Sequence, residues 1–181
     1  DIVNGTILPL NLHIQSDDGY DRNEILNVQI GEVSVIDPLG PDEYGYYIYD
    51  SGDDGYDLAP IYDWIEIYGS GTNLSLDNDG NGTWGSGSSP LAHIDLPFPF
   101  KFYGVDYDEI TVCTNGWIAF GYTDMESFRN YAIPGAGGPS PMLATFWDDL
   151  ETTSSGDVFT YFDSNNDRFI IEWSDMRTHS Y

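Results

Sequence analysis

Positive charge is what this sequence has least of: one lysine, Lys101, and four arginines stand against 31 acidic residues, for a formal net charge of −26. Such a surface repels phosphate backbones and anionic lipid headgroups. It argues against nucleic acid and membrane as partners and leaves cations as the natural counter-species. Cysteine is nearly absent too, and Cys113 alone allows no internal disulfide. His13, His93 and His179 are the only imidazoles. No apolar run reaches the length of a membrane-spanning helix. The chain opens at Asp1 with neither an initiator Met nor a signal peptide, so it is expected to be a mature or excised piece.

What is present points to an all-β fold. The 181 residues suffice for one domain, or one and a fraction, to bury a core without staples, and 40% hydrophobic with 15% aromatic residues is too much apolar mass for a disordered acidic tail. The acid is mostly Asp (23, against 8 Glu), accompanied by 11 Asn, 20 Gly and 10 Pro. These residues build turns, whereas helix surfaces favour Glu and Lys. Leu8, Leu10, Leu12 and Ile14 share one face of a first strand. Leu26, Val28 and Ile30, then Val33 and Val35, mark a second stretch after a turn at Asp17-Asp18-Gly19. Asp37-Pro38-Leu39-Gly40-Pro41 interrupts the pattern and is read as a domain boundary, giving units 1–36 and 37–181.

Further strands are expected at Tyr44–Tyr49, Trp64–Tyr68, Leu96–Phe102, Glu109–Val112, Trp117–Phe120, Met142–Phe146, Val158–Phe162 and Phe169–Trp173, an antiparallel β-sandwich in outline. Pro97 and Pro99 make the Leu96 strand an edge, with Phe98, Phe100 and Phe102 towards the core. Asp163–Asp167 suits a hairpin loop, and Asn115-Gly116 predicts a type I′ turn. Thr123 and Glu126 have capping-box spacing, which predicts a turn or two of helix over Thr123–Tyr131. Gly69–Pro90 reads as a long polar loop.

Several of these segments carry a family likeness. Leu96-Pro97-Phe98-Pro99-Phe100-Lys101-Phe102-Tyr103-Gly104, followed by Ile110–Gly121 with its Asn115-Gly116-Trp117 centre, and then Phe146-Trp147-Asp148-Asp149-Leu150, resemble the nidogen-like type of extracellular β-domain. Asp37–Tyr47 resembles a segment found ahead of such domains in large secreted bacterial proteins, among them gingipain-like peptidases with C-terminal sorting domains. Residues 1–36 then resemble the last strands of an immunoglobulin-like domain, or a donor-strand segment. Two strands are too few for a stable sheet of their own, so they are expected to dock on the following domain or on an open edge of a neighbouring chain. The resemblance covers roughly residues 37–175 and carries over no catalytic residue. It implies a secreted or cell-surface module that acts in adhesion, filament assembly or substrate presentation. Its partners would be other protein domains or copies of itself. The alternative is an accessory domain of a secreted peptidase whose active site lies outside this segment.

Candidate chemistry is sparse. Asp77, Asp79, Asn81 and Thr83 place oxygen donors at alternate positions with Gly82 at the sixth, the spacing of a calcium loop, but Ser88 stands where the bidentate acid is expected. Asp50, Asp53, Asp54 and Asp57 form a second acidic cluster around Gly52 and Gly55, where chance clustering of so many aspartates competes with a metal site. Ile48-Tyr49-Asp50-Ser51-Gly52 has the form of an aspartic-peptidase loop, but that chemistry needs a second copy to share the proton. A Cys113–His93 dyad has no local motif behind it, and Cys113 reads more simply as a small buried residue. Asp148 and Asp149 read as solvated charge or as a strand-end cap. Fourteen Tyr and five Trp make carbohydrate stacking a further expectation, beside their commoner use in cores. Asn4-Gly5-Thr6, Asn73-Leu74-Ser75 and Asn81-Gly82-Thr83 have the form of N-glycosylation sequons, which marks a candidate glycoprotein.

Overall fold

The structure, a computed structural model, describes residues 7–17, 19, 21–29, 38–53, 55–77, 89–133 and 135–179. Among them there is no helix, and every strand pairing is antiparallel. The chain divides into two compact units, Asp1–Asp63 and Trp64–Tyr181. The division falls later in the chain than the Pro38–Pro41 punctuation.

In the first unit, β1 (Ile7–Gln15) and β2 (Asp21–Gln29) form a hairpin in which Leu8 faces Val28 and Leu10 faces Leu26. Period-two alternation therefore gathers the apolar side chains on one face. The strand expected at Tyr44–Tyr49 does not form. Asp42 Oδ1 accepts the N–H groups of Tyr44, Gly45 and Tyr46 at 2.8–2.9 Å, bending the chain into a turn, and only an isolated bridge joins Leu39 to Ile48. An aspartate that captures successive backbone donors outcompetes a ladder. Ile30, Val33 and Val35 lie outside the described residues.

The second unit holds β3 (Thr72–Asn73), β4 (Leu91–Phe102), β5 (Val105–Cys113), β6 (Trp117–Phe120), β7 (Met142–Ala144), β8 (Leu150–Glu151), β9 (Asp157–Asp163), β10 (Arg168–Ser174) and β11 (Arg177–Thr178). One sheet has the order β4-β5-β6-β7, a second has β10-β9-β3, and β8 pairs with β11. Alternation sorts the four-stranded sheet into two faces. Ile110, Val112 and Phe120 pack with Val158 of the facing sheet and with Leu76, just beyond β3, while Leu91, Cys113, Trp117 and Ala119 pack with Trp147 on the other side. The sheet is thus covered on both faces, and Val112, Cys113 and Trp117 are 0% exposed.

The prolines of β4 act as expected. Pairing with β5 shifts register between Asp95 and Phe100, where Pro97 and Pro99 have no N–H to offer, and Phe98 reaches across to Phe162 at 5.9 Å. The helix expected at Thr123–Tyr131 is absent. Thr123 N–H donates to Thr111 Oγ1, and the Ser127 carbonyl accepts two indole N–H groups, so the backbone groups a helix would need are engaged elsewhere. Trp64–Tyr68 also forms no strand, because the Ile67 and Tyr68 N–H groups donate to the carboxylates of Glu172 and Glu66.

A charged latch closes the β8–β11 pair. Glu151, 8% exposed, accepts from Arg177 Nε at 2.9 Å and from the His179 ring, while His179 N–H donates to the Asp149 carbonyl at 2.7 Å. The His179 contact, seconded by Arg177, holds the Glu151 carboxyl below its ordinary value of 4.5, and Glu151 holds the His179 imidazole above its ordinary 6.5. A depressed carboxyl stabilises above 4.5 and loses that contribution as pH falls through its folded value. A raised imidazole stabilises below 6.5 and loses it as pH rises through its folded value. The latch is therefore expected to be strongest between those two limits. The melting-temperature difference between wild type and Glu151→Gln should peak there and shrink on both sides, and a difference that is flat with pH would rule the latch out.

Candidate functional site

The most tightly constructed part of the second unit is the connection between β5 and β6. Cys113 pairs with Trp117, leaving the three-residue loop Thr114-Asn115-Gly116. Gly116 has φ +76°, and Asn115 is not among the residues with positive φ. The type I′ turn expected from Asn-Gly is thus replaced by a three-residue loop with glycine at its left-handed position. Burial explains the change: Thr114 and Asn115 are both 0% exposed, so the loop is a core element.

Its polar groups are met by the Phe146–Leu150 segment. Phe146 N–H and Thr145 Oγ1 donate to the Gly116 carbonyl at 3.0 Å, Asp148 N–H to the Asn115 carbonyl at 3.3 Å, and Leu150 N–H to Asn115 Oδ1 at 3.0 Å. On the other side Asn115 Nδ2 reaches the Glu126 carbonyl, and Trp117 Nε1 and Trp147 Nε1 share the Ser127 carbonyl at 2.8 and 3.0 Å. Thr114 Oγ1 donates to the carbonyls of Asp77 and Pro90, and Asp77 N–H donates to the Ser89 carbonyl at 3.0 Å. Buried polar groups satisfied this completely specify one arrangement of the chain.

Beside this lock lies a recess of about 450 Å³ lined by Phe128, Arg129, Asn130, Asp148 and Asp149. The Arg129 guanidinium lies 5.4 Å from the Phe128 ring, and Asp148 Oδ1 accepts the Asp149 N–H at 2.8 Å. Asp148 and Asp149 are half-buried and line the recess together with the Arg129 guanidinium and the Phe128 ring. Sequence reasoning overlooked this grouping. The Trp147-Asp148-Asp149 run was a visible signal, but Phe128 and Arg129 fall in the segment expected to be helical.

The other candidate residues are dispersed. Asp77 is half-buried, and Asp79, Asn81 and Thr83 lie outside the described residues. Asp50 Oδ1 accepts the Gly52 N–H at 2.6 Å, and Asp53 Oδ2 accepts the Asp50 N–H at 2.9 Å. Asp53 is 2% exposed, and its Oδ1 has no partner among the described residues, whereas Asp57 is exposed and Asp54 lies outside them. Among the described residues no three His, Cys, Asp or Glu side chains converge as a metal set. His93 lies opposite Thr111, bonding its hydroxyl and stacking on Tyr122, while Cys113 lies opposite Leu91. Tyr44, Tyr46 and Tyr47 are exposed, with Tyr44 stacked on Tyr46 at 5.4 Å. Asn73 is exposed, and its Oδ1 accepts the Ser75 N–H; the sequons at Asn4 and Asn81 lie outside the described residues.

Comparison with curated proteins and with solved structures returned no match. A family profile described as NIDO related matches residues 63–181, which takes in the lock, the recess and the whole second unit. The match covers more than half of the chain, and the chain belongs to the NIDO-related, or nidogen-related, family.

Proposed function

We propose that the chain is a non-catalytic extracellular module of a larger secreted or surface protein, working in adhesion, filament assembly or substrate presentation. The observation that supports this most is the use to which its most distinctive residues are put. Asn115, Gly116 and Trp117 are tied to Phe146–Leu150 and Ser127 by hydrogen bonds inside the core. Catalysis needs an oriented acid, base or nucleophile within reach of solvent. Cys113, the only thiol, is 0% exposed, and the Glu151–His179 pair serves to join β8 to the chain after β11. Membership of the nidogen-related family supports the extracellular setting.

The purified chain is expected to turn over neither casein nor a panel of glycans. Turnover that disappears in Cys113→Ala or in Asp50→Asn would overturn the reading, because either residue would then be acting on substrate.

A further inference from the structure

Lysine and arginine are so scarce in this chain that each can be followed to its partner. Arg22 pairs with Glu24, Lys101 with Asp106 at 2.7 Å, Arg168 with Asp163 at 2.9 Å and Arg177 with Glu151 at 2.8 Å. Arg129 is the fifth, and among the described residues it forms no ion pair, although the sequence holds 31 acidic side chains. Its isolation is not for want of a carboxylate nearby. Arg129 lines the recess of about 450 Å³ together with Asp148 and Asp149, yet it pairs with neither.

Each charge is held in its own place. The guanidinium lies over the Phe128 ring, 5.4 Å from its centroid, and this cation–aromatic contact restrains it. Asp148 is restrained from the other direction: its Oδ1 accepts the Asp149 N–H at 2.8 Å, and its own N–H donates to the carbonyl of the buried Asn115. Asp148 Oδ2 and the guanidinium N–H groups have no protein partner among the described residues. The recess thus presents a positive and a negative group that do not neutralise each other.

The sign of the surroundings selects the ligand. A simple anion would meet Arg129 but be repelled by Asp148, Asp149 and the net charge of −26, and a simple cation would meet the carboxylates but be repelled by the guanidinium. A small zwitterion avoids both penalties, and the volume of the recess falls within the range of small-ligand sites. We propose that the recess binds a free α-amino acid, its carboxylate on the Arg129 guanidinium and its ammonium on Asp148. An α-amino acid carries both charges on one carbon, whereas even a dipeptide sets a further residue between them. The guanidinium fork matches a carboxylate with two parallel hydrogen bonds, and the ammonium donates to Asp148 by a charge-assisted bond, the stronger kind. This binding role goes beyond the proposed function and does not depend on it.

Amide NMR spectra of the full chain, titrated with L-alanine, test it. Alanine is the probe because its methyl side chain fits wherever the α-groups do. N-acetylalanine lacks the ammonium, alaninamide lacks the carboxylate, and alanyl-alanine spaces the two apart. Alanine at up to about 10 mM is expected to shift the resonances of Arg129, Asn130, Asp148 and Asp149 saturably, and each analogue to bind about tenfold more weakly. Arg129→Gln and Asp148→Asn are each expected to weaken alanine binding by about tenfold as well. Both should keep the wild-type melting curve, since Arg129 is exposed and Asp148→Asn retains an oxygen for the Asp149 N–H. The absence of any saturable shift with alanine overturns the proposal. So do analogues that bind as tightly as alanine, or variants that bind it as the wild type does.

Discussion

Gly116→Ala is expected to destabilise the second unit by about 4 kcal/mol, lowering its melting temperature by more than about 10 °C. A Cβ built at Gly116 falls 1.9 Å from the Phe146 carbonyl oxygen and 2.6 Å from its carbonyl carbon. Both obstacles are backbone, and the segment that carries them is held in place by the Phe146 N–H and Thr145 hydroxyl bonds to Gly116 itself. Relief of the clash therefore breaks the contacts that join the two motifs. The left-handed backbone, φ +76°, adds a penalty of about 1 kcal/mol for any residue with a side chain. Gly121 supplies the control, because it has φ +81° and a Cβ there meets nothing within 4 Å. Gly121→Ala should show the backbone penalty alone. Calorimetry that finds the two variants equal would mean that the Phe146 segment does not clamp the loop.

Trp117→Ala is expected to lower stability by about 3–5 kcal/mol, the usual range for deleting a fully enclosed large aromatic side chain. Trp117 is 0% exposed and packs with Leu91, Cys113, Ala119 and Trp147. Trp117→Phe separates its two contributions in the main: most of the ring volume stays, while the Nε1–H bond to the Ser127 carbonyl and the small five-membered part of the indole are lost. That carbonyl keeps the Trp147 indole as a donor, so no acceptor is orphaned, and the loss should be about 1–2 kcal/mol. Urea denaturation distinguishes the two. Near-equal losses for the alanine and phenylalanine variants would show that the hydrogen bond dominates over packing.

The sequence was readable where structure is decided locally. Alternation of Leu8, Leu10, Leu12 and Ile14 marked β1, Trp117–Phe120 coincides with β6, and the Asp163–Asp167 turn joins β9 to β10. The prolines of Leu96–Phe102 announced an edge strand. Local signals failed where a distant group captured the backbone. The capping-box spacing of Thr123 and Glu126 was genuine, but the Thr111 hydroxyl and two indoles compete for the same backbone groups. The Ile67 N–H pairs with Glu172, a residue 105 positions away that no window could connect to it. The candidate site divides in the same way. Asn115-Gly116-Trp117 stands out in the sequence, yet its role depends on Phe146–Leu150 folding over it, and only the assembled core shows that Asn115 is buried.

The chain between β6 and β7 is fastened to the sheet at neighbouring points, the carbonyls of Glu126 and Ser127, which meet Asn115 and the two tryptophans. Every amino acid brings a carbonyl, so the fastening places no demand on which side chain stands at those positions. The flanking stretches can lengthen, shorten or change composition during evolution as long as the backbone arrives between the indoles. A lineage can therefore rewrite Phe128, Arg129 and Asn130 at the recess, altering what that surface meets, while the tryptophans and asparagine that anchor it stay fixed.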